Sequence, residues 1–210
     1  LHTLITHTAP QVQWTDAQEL AAMRSMLGAA ARNMSHQRLQ SRAWHGIAAA
    51  LSRASSRPHF FACGGAAAVC RALRQHLREG RADISDEQLA KLQTAVMVAF
   101  SAACTNRDGR REVELQDVQL ILQALPEHVP TSNFIKNSCR ALGCLATQPE
   151  WQEWMRSRGV ASEVVGALQD LMIKPHKDPS ETAAAVAAGC FALSCLQSPG
   201  ALLVAISFVL

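Results

Sequence analysis

The residues able to do chemistry are few, and their spacing gives them little to work with. Cys63, Cys70, His59 and His76 fall in one stretch, and a thiol beside an imidazole is the minimum for a Cys–His nucleophile. The surroundings point elsewhere. The cysteines sit in apolar runs, where Cys packs as a small hydrophobe, and the two histidines are expected at the surface beside core thiols. The chain has seven cysteines in all, an odd number, with no CxxC pair. No Cys/His grouping has the spacing of a zinc site. GxSxG, Walker, HExxH and GxGxxG patterns are absent as well. Gly64-Gly65 is read as a helix stop, and Trp151 and Trp154 as packing between helices rather than a ligand platform. The expectation is a non-enzymatic protein with no catalytic residues, no metal and no cofactor.

The elements that would position any site are helices. Hydrophobic residues make up 49% of the 210, so a sizeable core can form. Aromatic residues are only 5%, with no Tyr, and Ala fills the gap. Ala is the best helix former and lets helices approach closely. Thr15 with Gln18 reads as a capping box opening a helix to about Asn33. Ser35 caps a second helix reaching about Ser55, and Pro58 opens a short one stopped by Gly64 and Gly65. A further helix ends at Gly80. Ser85 with Gln88 opens a long helix to about Cys104. After the connection NRDGRR comes a helix closed by Pro126 and Pro130. Ser132 opens the next, through Ala146. Pro149 starts a short helix stopped by Gly159, and another follows to about Ile173. Asp178, Pro179 and Glu181 open a helix to about Gln197. No alternating run bounded by hairpin signals reads as strand.

A repeat is the strongest feature. Cys139-Arg-Ala-Leu-Gly-Cys144-Leu145 matches Cys190-Phe-Ala-Leu-Ser-Cys195-Leu196 at five of seven positions, 51 residues apart. A weaker cousin at 97–103 lies 42 residues before the first, and 45–51 lies about one period earlier still. All-helical periods of this length mean stacked helical repeats. Ala141, Leu142, Leu145, Ala192, Leu193 and Leu196 would face the shared core. Within a unit the order is short, medium, then long helix, clearest from Thr147 to Gln197. This order, with a short helix ending in Gly and a long one ending in an A-L-x-x-L-like motif, resembles the armadillo repeat. The related HEAT-like arrays and another helical bundle are the alternatives. The resemblance implies an all-α, right-handed α-solenoid of armadillo-like three-helix repeats. Residues 1–34 are a cap helix and partial repeat, 35–200 about three to four units, and 201–210 the start of a further unit. Leu1 is no initiator Met, and the chain reads as a piece of a longer protein.

Armadillo proteins bind along the groove lined by their third helices. The nuclear-import adaptors of that family carry W-x-x-x-N pairs there. The matching positions here are Arg140/Cys144, Phe191/Cys195 and Val98/Ala102, so that array is missing. In its place a mild positive edge is expected. Arg38, Arg42 and His45 share one face of a helix, and Lys91, Asn137, Arg140 and Phe191 take comparable groove positions. Such an edge suits an acidic peptide or a subunit of a larger assembly. Arg71, Arg74 and Arg78 form a second stripe, expected in solvent on the convex side. The net charge of +3 and the shortage of aromatics disfavour nucleic acid. RNA binding and regulation of a small GTPase or other enzyme are the alternative functions. Residues 182–210 carry no charge, but Pro199-Gly200 splits the run, so a membrane span is not expected. The N-terminus lacks a signal-peptide pattern, and the unpaired thiols suit a cytoplasmic, reducing compartment.

Overall fold

The computed structural model describes residues 15–33, 36–78, 85–127, 132–173 and 179–207. Among them every regular element is an α-helix. These are α1 (Asp16–Arg32), α2 (Gln37–Leu51), α3 (Ser56–Ala62), α4 (Gly65–Arg78), α5 (Asp86–Cys104) and α6 (Arg107–Arg111). Then follow α7 (Leu115–Glu127), α8 (Ser132–Ala146), α9 (Pro149–Ser157), α10 (Val160–Ile173), α11 (Pro179–Cys195) and α12 (Pro199–Ile206).

Local chemistry explains most of the boundaries. Thr15 and Gln18 form the expected reciprocal capping box, and Asn33 closes α1. The Ser85 hydroxyl accepts from the Gln88 backbone N–H at the start of α5. Gly159, at φ +70°, supplies the left-handed turn between α9 and α10. Several boundaries differ from expectation, and α2 stops at Leu51, short of Ser55. NRDGRR is not a plain connection but holds α6, with the Asn106 side chain accepting from Asp108 N–H. Gly65 begins α4 instead of ending α3, and Gly64 alone, at φ +71°, makes the turn. Helix α7 runs through Pro126 to Glu127, one residue past the proline expected to close it. Ser35, Gly80, Pro130 and Asp178 lie outside the described residues.

Packing follows chain order. The long helices α2, α5, α8 and α11 pack in succession, and so do α1, α4, α7 and α10. Each long helix also packs on the helix before it across the layers, as in α4 on α5 and α10 on α11. The short helices α3 and α9 each pack on the helices before and after them, and α6 packs on α5. A single buried cluster runs from Met23 on α1 to Ala205 on α12. Ile47, Phe100, Leu142 and Leu193 are all fully buried, at spacings of 53, 42 and 51 residues. Each long helix therefore buries a large apolar residue at a comparable place in the sequence repeat. Ala141, Leu142, Leu145, Ala192, Leu193 and Leu196 are all buried as expected.

The α8–α11 contact is the most extensive of the series. Gly143 allows it: a Cβ there would come within 2.5 Å of the Phe191 ring and 3.2 Å of Ala192 Cα. Buried amides join successive helices in the same way twice. Gln40 on α2 donates to the Ala30 carbonyl of α1, and Gln93 on α5 donates to the His76 carbonyl of α4 at 3.0 Å. Each satisfies a carbonyl that a helix end leaves open.

Two surface assignments are corrected. His76 is 2% exposed, not a surface histidine. It lies on the apolar face that α4 turns toward its neighbours. Arg74 is not a solvated convex charge. Its Nε and Nη2 hold both oxygens of the fully buried Asp117 on α7, at 2.6 and 2.9 Å. Arg71 is exposed, and the Arg78 side chain lies outside the described residues. No helix among the described residues is long and apolar enough to cross a membrane.

Candidate functional site

A cavity of about 400 Å³ opens where α2, α5 and α8 lie side by side. Ala48, Leu51, Val98 and Ala102 supply apolar wall from α2 and α5. Ser101 comes from α5, and Asn133, Lys136, Asn137 and Arg140 from α8. Arg57 and Ser52 close the end nearest α3. The lining holds three cations and no carboxylate.

Each polar group has a defined state. Arg57 is half-buried and its Nε donates to the Leu51 carbonyl at 3.4 Å, at the open end of α2. Its Nη groups are left for other acceptors. Asn133 and Asn137 stand one turn apart, and Asn137 Nδ2 donates to the Asn133 carbonyl at 2.7 Å and to its Oδ1 at 3.0 Å. That bond fixes the orientation of the buried Asn137 amide. Lys136 and Arg140 are also one turn apart on α8. Neither has an ion-pair partner among the described residues. Ser101 is 1% exposed, and its Oγ has no hydrogen-bond partner among them. A buried hydroxyl without a partner costs free energy, which a ligand able to bond it would recover.

Asn137 and Arg140 are thus the two expected groove residues that this cavity brings together. Arg38 and Arg42 are exposed and do not line it. His45 Nδ1 donates back to the Ser41 carbonyl at 2.6 Å, which fixes the proton on that nitrogen. Lys91 pairs with Glu87 on its own helix at 2.6 Å, and that ammonium holds the Glu87 carboxyl below its usual range. Phe191 lays its ring over Gly143 and stays 43% exposed. Sequence reasoning missed Arg57, Ser101, Asn133 and Lys136. The i, i+4 pairs Asn133/Asn137 and Lys136/Arg140 within SNFIKNSCR were a usable signal for two of them.

A second cationic cleft, of about 410 Å³, lies between α6 and α9, with Arg107, Arg110 and Arg111 facing Trp151. It is less open to an anion. Glu150 lines it, Asp108 holds Arg111 at 3.3 Å, and Arg110 Nη1 donates to the Cys104 carbonyl at the end of α5. Trp151 and Trp154 meet edge to face at 6.1 Å, and the Arg158 guanidinium stands 5.9 Å from the Trp154 ring.

Five of the seven thiols are made poor nucleophiles by burial. Burial pushes Cys70 and Cys139 up to about 12 and Cys104 well above its ordinary value. Burial also raises Cys144 and Cys195. The thiolate is the reactive form, so each shift lowers reactivity at neutral pH. His59 stands 3.8 Å from carboxylate oxygens of both Asp16 and Glu19. Among the described residues no three His, Cys, Asp or Glu side chains gather to hold a metal. The arrangement offers an anion the anchored Arg57, Lys136 and Arg140 unpaired among the described residues, and the oriented Asn137 amide.

No family model matches this chain, and no curated protein matches it. A solved crystal structure of an engineered protein, a Northeast Structural Genomics Consortium target, is similar in fold. The two align with a TM-score of 0.50 at 17% identity, over 87% of this chain and 69% of that one.

Proposed function

We propose that the protein is an interaction module built as an armadillo-like solenoid, with its long helices lining a groove that holds an acidic segment of a partner protein. The observation that carries this reading is the cavity between α2, α5 and α8, lined by Arg57, Lys136 and Arg140 and by no carboxylate. Guanidinium forks and an ammonium recognise carboxylates through charge-assisted hydrogen bonds. The Asn133 and Asn137 amides suit a peptide backbone. The small apolar walls leave room for an extended chain. The order of short, medium and long helices, with each long helix packed on the next, supports the solenoid.

The test is fluorescence anisotropy with a labelled peptide rich in Asp and Glu. Reversing Lys136 and Arg140 to Glu weakens binding by more than about tenfold, or about 1.4 kcal/mol, with an unchanged circular dichroism spectrum. Arg42→Glu, outside the cavity, leaves binding within about twofold. Added salt weakens the wild-type complex, as for any charge-steered contact. Equal binding by wild type and the double reversal rejects this groove.

A further inference from the structure

We infer that the anion this groove selects is a phosphoryl group on a serine of the partner segment, in preference to an Asp or Glu carboxylate. The inference rests on the peptide-binding reading above and adds the identity of the anchoring side chain. Charge is the first argument. Arg57, Lys136 and Arg140 put three cations around one cavity without an acidic residue in its lining. One carboxylate neutralises a single charge. A phosphoserine brings about −1.5 to −2 at neutral pH and three strong acceptor oxygens.

Donor geometry is the second argument. Arg140 offers a planar fork and Lys136, one turn away, a point charge, a combination that suits a tetrahedral anion. Arg57 already spends its Nε on the Leu51 carbonyl, so its position is set before a ligand arrives. Ser101 adds the independent observation. Ser101 lines the cavity, and its buried hydroxyl has no partner among the described residues. A phosphoryl oxygen accepts that hydroxyl while others accept from the cations. A carboxylate has two oxygens for the same set of donors. The lining has no aromatic side chain, so it offers nothing for the bases of a single-stranded RNA to stack on. That favours a peptide over a nucleic acid as the source of the phosphate.

The experiment uses the whole chain and three fluorescein-labelled octapeptides of Gly, Ala and Ser, identical except at one central position. That position holds phosphoserine, Asp or Ser. The phosphoserine peptide binds at least about tenfold more tightly than the Asp peptide, and the Ser peptide is weakest. Ser101→Ala narrows the preference for phosphoserine over Asp, and Arg140→Gln, at an exposed position that tolerates exchange, removes most of it. If the Asp peptide binds as well as the phosphoserine peptide, this inference fails and the acidic-peptide reading stands. If none of the three binds and the Asp- and Glu-rich peptide does not either, both fail. Inorganic phosphate competing at the same concentration as the phosphoserine peptide would make the site one for the free ion and overturn the inference. Displacement by an eight-nucleotide RNA at lower concentration than by the phosphoserine peptide would overturn it too.

Discussion

Asp117 is a fully buried carboxylate, and everything around it exists to satisfy it. Arg74 holds both its oxygens, and Oδ2 also accepts the Glu114 N–H at 2.9 Å. The same contact holds Arg74 protonated, its acidity further suppressed by the Asp117 hydrogen bond and by Glu114 at 2.9 Å. Because α4 and α7 are successive helices of one row, one ion pair ties neighbours in that row together. Removing the cation leaves the carboxylate buried and alone, which costs about 3–5 kcal/mol. Arg74→Met is therefore expected to lower the urea midpoint sharply. Adding Asp117→Asn, which keeps an acceptor for Glu114, recovers most of the loss. A double variant no more stable than the single one would show that packing, not charge, explains the effect. The sequence did not reveal this pair. A run of Arg71, Arg74 and Arg78 reads as a solvated stripe, and only the partner 43 residues away shows which one is structural. The groove was legible to the same degree. Arg140 and Asn137 follow from the register of one helix, whereas Arg57 and Ser101 reach the cavity only because α2 breaks before α3 and α5 lies beside α8.

Helix boundaries were readable where a side chain makes them and misread where a neighbour does. Thr15, Ser85 and Gly159 act within a few residues of the chain, so capping rules and a left-handed glycine suffice. Helix α6 has a local cap in Asn106, but it is only five residues long with a glycine inside it, so propensity does not mark it as a helix. Gly109 is buried in it, and a Cβ there would stand 2.2 Å from the Ala103 carbonyl oxygen and 2.9 Å from the Phe61 ring. The close approach of α6 to the end of α5 is what brings Arg110 onto the Cys104 carbonyl. By propensity alone, Gly109→Ala should stabilise a helix by about 1 kcal/mol. Here the methyl meets backbone, which cannot turn aside as a side chain can. Overpacking of this kind costs about 1–3 kcal/mol, so the variant is expected to melt at a lower temperature than the wild type. A raised melting temperature would mean that α6 can shift outward and that its contact with α5 is not tight.

At the scale of the whole molecule, folding hides thiols in several successive helices at once. Cys70 lies on α4, Cys104 on α5 and Cys139 on α8, and burial raises the pKa of all three thiols. The unfolded chain would ionise them near the ordinary value of about 8.5. Below that pH both states keep their protons, and the thiols leave stability independent of pH. Above it the unfolded state loses protons while the folded state keeps them, so the unfolded state gains and stability falls as pH rises. The decline runs from about pH 9 toward about 12, where Cys70 and Cys139 ionise in the fold as well. The urea midpoint is expected to hold between pH 7 and 8 and to drop by pH 10.5. Other groups titrate in that range too, so Cys139→Ala isolates the thiol share. It lowers stability at pH 7 by removing buried volume, yet it flattens the alkaline decline because one fewer proton separates the two states. Ellman's reagent gives the matching kinetic readout. Cys104 and Cys139 should react only at the rate at which the packed helices open, and a shared slow rate for thiols on α5 and α8 would mark those two helices as one cooperative unit. An alkaline slope unchanged in Cys139→Ala would mean that this thiol is not held protonated between α8 and α11.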